Sequence, residues 1–240
     1  MKSYNTPSEA YLSVLEDVFF DPEYECSPRG QLVKEKTDYS FRVLQPDFKP
    51  IVTMCPERNE AIKAYTKKEL DLYLSKTNKV EDFAKASKFW NHIANADGTV
   101  NSAYGHLIWK KKSLGKDVKM TPWDWCVNSL KSDKDTRQAV LRFSLPEHHY
   151  SGNKDFVCTL GGNFLIRDNK LHLSISMRSN DLVLGLTYDM PFFMKLIYIM
   201  RDELLDTYPN LEIGSYTHFA HSFHVYDRNK DKVLAMLGLS

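Results

Sequence analysis

The stretch from Asp155 to Tyr226 sets out, in chain order, a thiol, a cation beside a hydroxyl, two carboxylates and a His-x-Tyr pair. These are Cys158, Arg178 with Ser179, Asp181 and Asp189, and His224 with Tyr226. Such a set can hold a phosphorylated nucleoside against a nucleophile. By itself, a cysteine in an apolar run is more often a small buried hydrophobe than a nucleophile. Arg178, at the far end of a suspected hairpin, tips the balance, because a guanidinium lowers a thiol's pKa and raises the share of the attacking thiolate. Arg178-Ser179 also suits a phosphate monoester; the alternative is a surface arginine paired with Asp181. Arg29, next to Gly30 in a loop that glycine lets tighten around an anion, is a second phosphate candidate, and Arg137 a third. His224 and Tyr226 fall on one face of a strand and can hydrogen-bond a sugar, or simply be satisfied polar tips. Glu69, flanked by Lys68 and Leu70, reads from its neighbours as a solvated helix residue.

Other signals carry less. His148 and His149 are adjacent, point apart and make a poor metal pair. Asp227-Arg228-Asn229-Lys230-Asp231 mimics the start of a calcium loop. However, Lys232 stands at the glycine position and Gly238 where a bidentate glutamate belongs. No metal site is expected. Lys110-Lys111-Lys112 reads as a solvated face.

The elements that must position these groups are partly legible. Thr6-Pro7-Ser8-Glu9 has the capping hydroxyl, first-turn proline and Glu of a helix start, and predicts a helix to about Phe20. Residues 31–45 alternate as strands do. Helices are predicted over Arg58–Leu74, Val80–Ala94, Pro122–Leu130 and Met190–Leu205, and strands over Val140–Leu145 and Leu211–Tyr226. Phe156–Ile166 and Leu171–Met177 form a hairpin across Arg167-Asp168-Asn169-Lys170. Helices and strands mix without a regular βαβ rhythm, which favours a mixed sheet in an α/β fold.

The chain has 240 residues, 42% hydrophobic and 26% charged, with no repeat or linker, and reads as one domain over 1–240. A net charge of +1 gives no global field for nucleic acid or an anionic membrane, so no DNA partner is expected. No apolar run is long enough to cross a bilayer. The N-terminus lacks an apolar signal core, and the four cysteines form no CxxC pair. Free thiols in a reducing cytoplasm follow.

Over most of its length the sequence resembles the thymidylate synthase superfamily and, within it, the phage-type deoxycytidylate hydroxymethylases. The resemblance is carried by Lys68–Leu74, Phe89-Trp90, Asn101–Gly105, Asp135-Thr136-Arg137, Asp155–Thr159, Arg178–Asp181, Leu184-Gly185 and His224-Val225-Tyr226. It implies a three-layer α/β fold with a mixed sheet, a homodimer packed through the sheets, a pyrimidine nucleoside monophosphate and 5,10-methylenetetrahydrofolate. It also implies roles. Cys158 would add to carbon 6 of the pyrimidine, Glu69 would organise water and protons, and Tyr104 would assist removal of the carbon 5 proton. Arg178 and Ser179 would bind phosphate, with Arg137 reaching across from the other subunit. His224 and Tyr226 would hold the sugar, and Trp90, Asp181 and Gly185 would meet the folate.

Departures bear on the reaction. Gln138 stands where the family usually has a second Arg, Asn163 replaces a glutamine, His221-Ser222 replace Gly-Asp, and Thr159 replaces the histidine of methylating members. Uracil-using members carry asparagine at the place of Asp189. A carboxyl there can accept from the amine of cytosine and, if protonated, donate to its ring nitrogen, whereas facing uracil it leaves a buried group unpaired at about 1–3 kcal/mol. The bland alternative is that Asp189 caps the following helix. Ile93 in place of a second tryptophan, and no clear counterpart of an apolar closing tail in Met236–Ser240, favour water over hydride as the final addition. The expected activity is hydroxymethylation of deoxycytidylate. The rivals are a methylating enzyme on deoxycytidylate or deoxyuridylate, and a nucleotide- or RNA-binding homologue without catalysis.

Overall fold

A computed structural model describes residues 1–112 and 119–239; Ser240, at the end of the C-terminal tail, lies outside them. The elements in chain order are β1 (Lys2–Tyr4), α1 (Pro7–Phe20), β2 (Tyr24–Cys26), β3 (Val33–Val43), α2 (Pro56–Ser75), α3 (Val80–Ala86), α4 (Trp90–Ile93), α5 (Tyr104–Trp109), α6 (Pro122–Ser132), β4 (Val140–Arg142), β5 (Thr159–Arg167), β6 (Lys170–Met177), β7 (Asn180–Asp181), α7 (Leu186–Leu204), β8 (Glu212–Tyr226) and α8 (Lys230–Met236). The capping box at Thr6 forms as predicted, with Glu9 N–H donating to Thr6 Oγ1.

The strands make one mixed sheet in the order β1-β3-β8-β6-β5-β4, with β2 on β3 and β7 on β8. β6 and β8 run parallel and α7 crosses between them; β5 is antiparallel to β4 and β6, and β3 is antiparallel to β2 and β8 but parallel to β1. Above the sheet, α7 packs on β6 and β8, α1 on β3 and α6 on β5; α2 packs on α7, with α3 and α5 beside it. The result is three layers. Along β6 the buried residues Leu171, Leu173, Ile175 and Met177 alternate with more exposed ones, as a sheet with one covered face requires.

Asp168 and Asn169 both adopt positive φ, 49° and 58°, the backbone of a tight two-residue hairpin whose twist matches its strands. The predicted hairpin is therefore present, but β5 starts at Thr159, so Cys158 precedes the strand rather than lying in it. The predicted Val80–Ala94 helix breaks at Ser87, which is extended with φ −151°. The strand predicted to Leu145 stops at Arg142. The helix predicted from Met190 begins at Leu186, because Gly185 occupies its N-cap and carries no side chain to signal it. Asp189 therefore lies inside the first turns of α7 instead of capping it.

Candidate active site

β6 and β8, being parallel, deliver their carboxyl ends to one edge of the sheet, where open α/β sheets place ligand sites. Arg178 and Ser179 follow the last residue of β6. Thr159 pairs with Met177, and Arg178 N–H donates to Cys158 O at 2.8 Å, so the hairpin itself sets the thiol beside the guanidinium. Arg178 Nη2 stands 3.5 Å from Cys158 Sγ; its Nε and Nη2 donate to Val157 O and Phe156 O at 3.1 and 2.5 Å. Arg178 is thus held by the segment leading to Cys158, and no ion pair with Asp181 occurs among the described residues.

Cys158 is partly exposed. Burial pushes its thiol above the ordinary value, Arg178 pulls it down, Asp189 and Asp155 push it up, and Arg29 pulls it down. The net direction is upward, so the expected depression by Arg178 is outweighed by burial. The same segment is pinned from the other side by Asp155, which is buried and accepts from Ser102 N–H at 2.8 Å and from the Ser102 hydroxyl. Asn101 Nδ2 donates to Asp155 O at 3.1 Å.

Three tyrosines and a tryptophan wall the cleft on the helical side. Glu69, predicted to be solvated from its neighbours, is only 7% exposed because α2 turns it towards the interior with Tyr65 and Tyr73. Its carboxyl is pushed up to about 8 by burial and then by Asp189, against the hydrogen bond from Tyr65. Trp90 Nε1 donates to Tyr65 Oη at 3.3 Å, which makes a line Trp90–Tyr65–Glu69. Tyr104 is buried and lies nearly parallel to Tyr73 at 5.2 Å. Burial raises its pKa first, then the charges of Asp189 and Cys158. The close approach of α5 to α2 needs Gly105, since a Cβ there would stand 1.7 Å from Tyr73 O. A surface hollow of about 580 Å³ between α2 and α3, bordered by Lys68, Asp71 and Lys85, lies on a different face of α2 and holds none of these groups.

Asp189 projects from α7, where Asn180 Nδ2 donates to its Oδ2 at 3.2 Å. Burial pushes its carboxyl up to about 7, Asn180 pulls it down and Asp181 pushes it up. Asp189 is felt by Glu69, Tyr104 and Cys158 alike, which makes it the group common to the whole cleft.

His224 pairs in register with Asp181 across β8 and β7. It is 8% exposed, its Nδ1 is 3.4 Å from Ser222 Oγ, and Tyr226 meets it edge-on at 5.2 Å, so the two share one face as expected. Ser222 Oγ donates to Glu35 and so accepts from His224 Nδ1–H, leaving His224 Nε2 as an acceptor. Burial lowers the His224 pKa, opposed by Asp181 and Glu35.

Asp181 Oδ1 accepts from Val183 and Leu184 N–H at 2.7 and 3.2 Å and so shapes the lip between β7 and α7. Gly185 is dictated by packing, because a Cβ there would stand 2.8 Å from Asn180 Oδ1 and Asp181 O. Arg29 occupies a tight turn at φ 53°, exposed but within charge range of Cys158. Ser179 is partly exposed beside Arg178. Arg137 is exposed ahead of β4, and Asn163 Nδ2 donates to its carbonyl at 3.4 Å. Among the described residues of its own chain it makes no hydrogen bond or ion pair with a residue of the Cys158 cleft.

Sequence reasoning gave no role to Tyr65, Ser102, Asn180 or Arg58. Arg58 donates to Val183 O and Tyr188 Oη at 2.7 and 3.1 Å and ties α2 to the lip. Their signal is tertiary: Tyr65, Ser102 and Asn180 touch Trp90, Asp155 and Asp189, and Arg58 reaches the lip from α2. Among the described residues no helix is long and apolar enough to cross a membrane.

The family model described as thymidylate synthase matches residues 9–238. The deoxycytidylate 5-hydroxymethyltransferase of Enterobacteria phage T4 is 30% identical over 172 residues, covering 69% of this chain and 68% of that protein. The thymidylate synthase of Bacillus atrophaeus is 26% identical over 185 residues, 77% of this chain and 78% of that one. The solved structure of thermostable thymidylate synthase A from Bacillus subtilis superimposes with a TM-score of 0.72 at 20% identity, over 98% of this chain and 84% of that one, and speaks for the fold. With a thiol beside a guanidinium at the carboxyl edge of this sheet and a buried glutamate on the helix above it, the chain belongs to the thymidylate synthase family.

Proposed function

We propose that the chain is a deoxycytidylate 5-hydroxymethyltransferase, working as a homodimer. It would transfer a one-carbon unit from 5,10-methylenetetrahydrofolate to carbon 5 of deoxycytidylate and finish with water. The observation that carries the reading is Asp189: a carboxyl whose pKa stands near 7, with one oxygen engaged by Asn180. Near neutrality such a group can be an acid, accepting from the cytosine amine while donating to ring nitrogen 3. The kinship with a protein named deoxycytidylate 5-hydroxymethyltransferase supports the same choice.

In this mechanism Arg178 and Ser179, with Arg29, receive the phosphate, and His224 Nε2 and Tyr226 receive the sugar. Cys158 Sγ bonds to carbon 6; the electron pair of the ring double bond moves to carbon 5 and the nitrogen 3 edge, where Asp189 supplies a proton. Tyr104 assists loss of the carbon 5 proton. Glu69, protonated below about pH 8, holds the water that adds to the transferred carbon as the new hydroxyl; the electron pair returns to the ring, the bond from carbon 6 to Cys158 Sγ breaks, the ring double bond re-forms and the thiolate leaves. The folate, when bound, supplies the methylene carbon. The lip offers what a pterin needs: the partly exposed Asp181 carboxylate to accept from ring N–H groups, beside Leu184, whose side chain is exposed. Ile93, partly buried after Trp90, narrows the aromatic wall and is consistent with entry of water.

Product analysis of purified protein with deoxycytidylate and methylenetetrahydrofolate tests this. The expected product is 5-hydroxymethyldeoxycytidylate. A 5-methyl product with stoichiometric dihydrofolate would reject the water step, and preferential turnover of deoxyuridylate would reject the reading of Asp189.

A further inference from the structure

Behind Asp189 lies a polar line that runs into the middle of the sheet. Asn180 Nδ2 is 3.2 Å from Asp189 Oδ2, 3.3 Å from His218 Nε2 and 2.8 Å from Met177 Sδ. Tyr216 Oη is 2.6 Å from His218 Nδ1. His218 and Tyr216 are both wholly buried, and the imidazole lies parallel to Phe41 at 5.6 Å. Burial drives the His218 pKa down to about 3, so the ring is neutral and carries one proton.

We infer that His218, held by Tyr216, is a positioning residue for base selection: it fixes the amide of Asn180 and thereby which oxygen of Asp189 carries the proton. The inference rests on the deoxycytidylate reading above. An amide nitrogen only donates. Facing Asn180 Nδ2, His218 Nε2 must therefore be the unprotonated nitrogen, and its proton sits on Nδ1, donated to the Tyr216 oxygen. Met177 Sδ is a weak acceptor and would repel an amide oxygen, which favours the same orientation. Asp189 Oδ2, receiving from Asn180, then stays the carbonyl oxygen, and the proton resides on Oδ1. That gives one acceptor and one donor in fixed places, the complement of the cytosine amine and nitrogen 3.

Turning the amide would reverse this. Asn180 Oδ1 would draw the carboxyl proton to Oδ2, leaving Oδ1 as an acceptor only, suited to the N–H at nitrogen 3 of uracil. Without the Tyr216 hydroxyl, the buried Nδ1–H loses its acceptor. The imidazole proton then moves to Nε2, where it faces the Asn180 N–H donor to donor and drives that turn.

The test is calorimetric binding of deoxycytidylate and deoxyuridylate, without folate, to wild type, Tyr216→Phe, His218→Phe and His218→Gln, with a thermal melt of each. Wild type should bind deoxycytidylate more tightly. His218→Phe should cut that preference about tenfold or more, mainly by weakening deoxycytidylate, and Tyr216→Phe about threefold. His218→Gln, whose amide oxygen can accept from Asn180, should restore most of it. A merely structural role would weaken both nucleotides equally and give no rescue. Folded variants that keep the wild-type preference within twofold would overturn the inference alone. Wild type preferring deoxyuridylate would overturn the base reading and the inference with it. If His218→Phe does not fold, an unchanged preference in Tyr216→Phe overturns it.

Discussion

Tyr65 donates its hydroxyl to Glu69 one turn along α2, at 3.3 Å, while accepting from Trp90. That bond favours the charged carboxylate and opposes the burial and Asp189 repulsion that hold Glu69 near 8. Tyr65→Phe removes it, so the Glu69 pKa should rise further. The limb of the pH profile of kcat/KM that belongs to Glu69 should move up by about half to one pH unit. A limb that stays or moves down would show that this bond does not tune the glutamate.

The raised carboxyls also load the fold. In the unfolded chain Glu69 and Asp189 release protons near their ordinary values of 4.5 and 3.8; in the folded chain they do so together near 8 and 7. Between those limits the folded state holds more protons, so rising pH favours unfolding. The stability is fully present below about pH 4 and is lost as pH climbs through 7 and 8. Each carboxyl removes about 1.4 kcal/mol per pH unit between its unfolded and its folded value. Wild type should therefore melt about ten degrees or more lower at about pH 8.5 than at about pH 5.5. Glu69→Gln should flatten that slope and raise the melting temperature at the higher pH while losing activity, since strain at a working site is commonly bought with stability.

The resemblance named Glu69, but its burial could not be read from its neighbours. Its neighbours in the chain are charged; its surroundings in the fold are Tyr65 and Tyr73 from its own helix, with Trp90 reaching Tyr65 from α4. Burial of this kind is a property of packing, and no local pattern encodes it. The Thr6 cap and the Asp168-Asn169 turn, by contrast, depend on residues within a few positions and were readable. The Cys158–Arg178 pair lay between: the hairpin could be read, and its register then placed the two ends side by side. Gly185 hid the start of α7, and with it the position of Asp189 inside the helix. Asn180 lay in a matching segment without a role and His218 gave no signal, since the two meet only across β7 and β8.

Loss of the Cys158 thiol, the proposed nucleophile, should separate chemistry from binding. In Cys158→Ala, Arg178 keeps its bonds to Phe156 O and Val157 O, so the proposed phosphate site should survive. Release of tritium from carbon 5 of labelled nucleotide should fall at least about a thousandfold. Nucleotide affinity should stay within about threefold. Substantial release by the variant would remove Cys158 from the mechanism.

Asp189→Asn should exchange the base. An amide at that place accepts from uracil nitrogen 3 and donates to its oxygen 4, which no carboxylate can do. The ratio of kcat/KM for deoxycytidylate over deoxyuridylate should fall by about two to four powers of ten, mainly through the loss of deoxycytidylate turnover. Equal losses on both nucleotides would assign Asp189 to general catalysis instead of base choice.

Gly105 offers a test of the helical wall that leaves every polar group in place. A Cβ at this position would lie 1.7 Å from Tyr73 O and 2.6 Å from its carbonyl carbon, both backbone atoms of α2 that no rotamer can move. Gly105→Ala must therefore push α5 off α2, at an overpacking cost of about 1–3 kcal/mol. Tyr104, the preceding residue, rides on α5 and sits between Tyr73 and Phe193, with ring centroids 5.2 and 5.8 Å away. Its hydroxyl would be carried out of line with Cys158 and Asp189. The variant should melt several degrees lower and lose kcat tenfold or more. Nucleotide binding should change little, because the residues proposed to hold phosphate and sugar hang on β6 and β8, on the other side of the cleft. A variant with wild-type kcat would mean that the approach of α5 to α2 does not set the position of Tyr104.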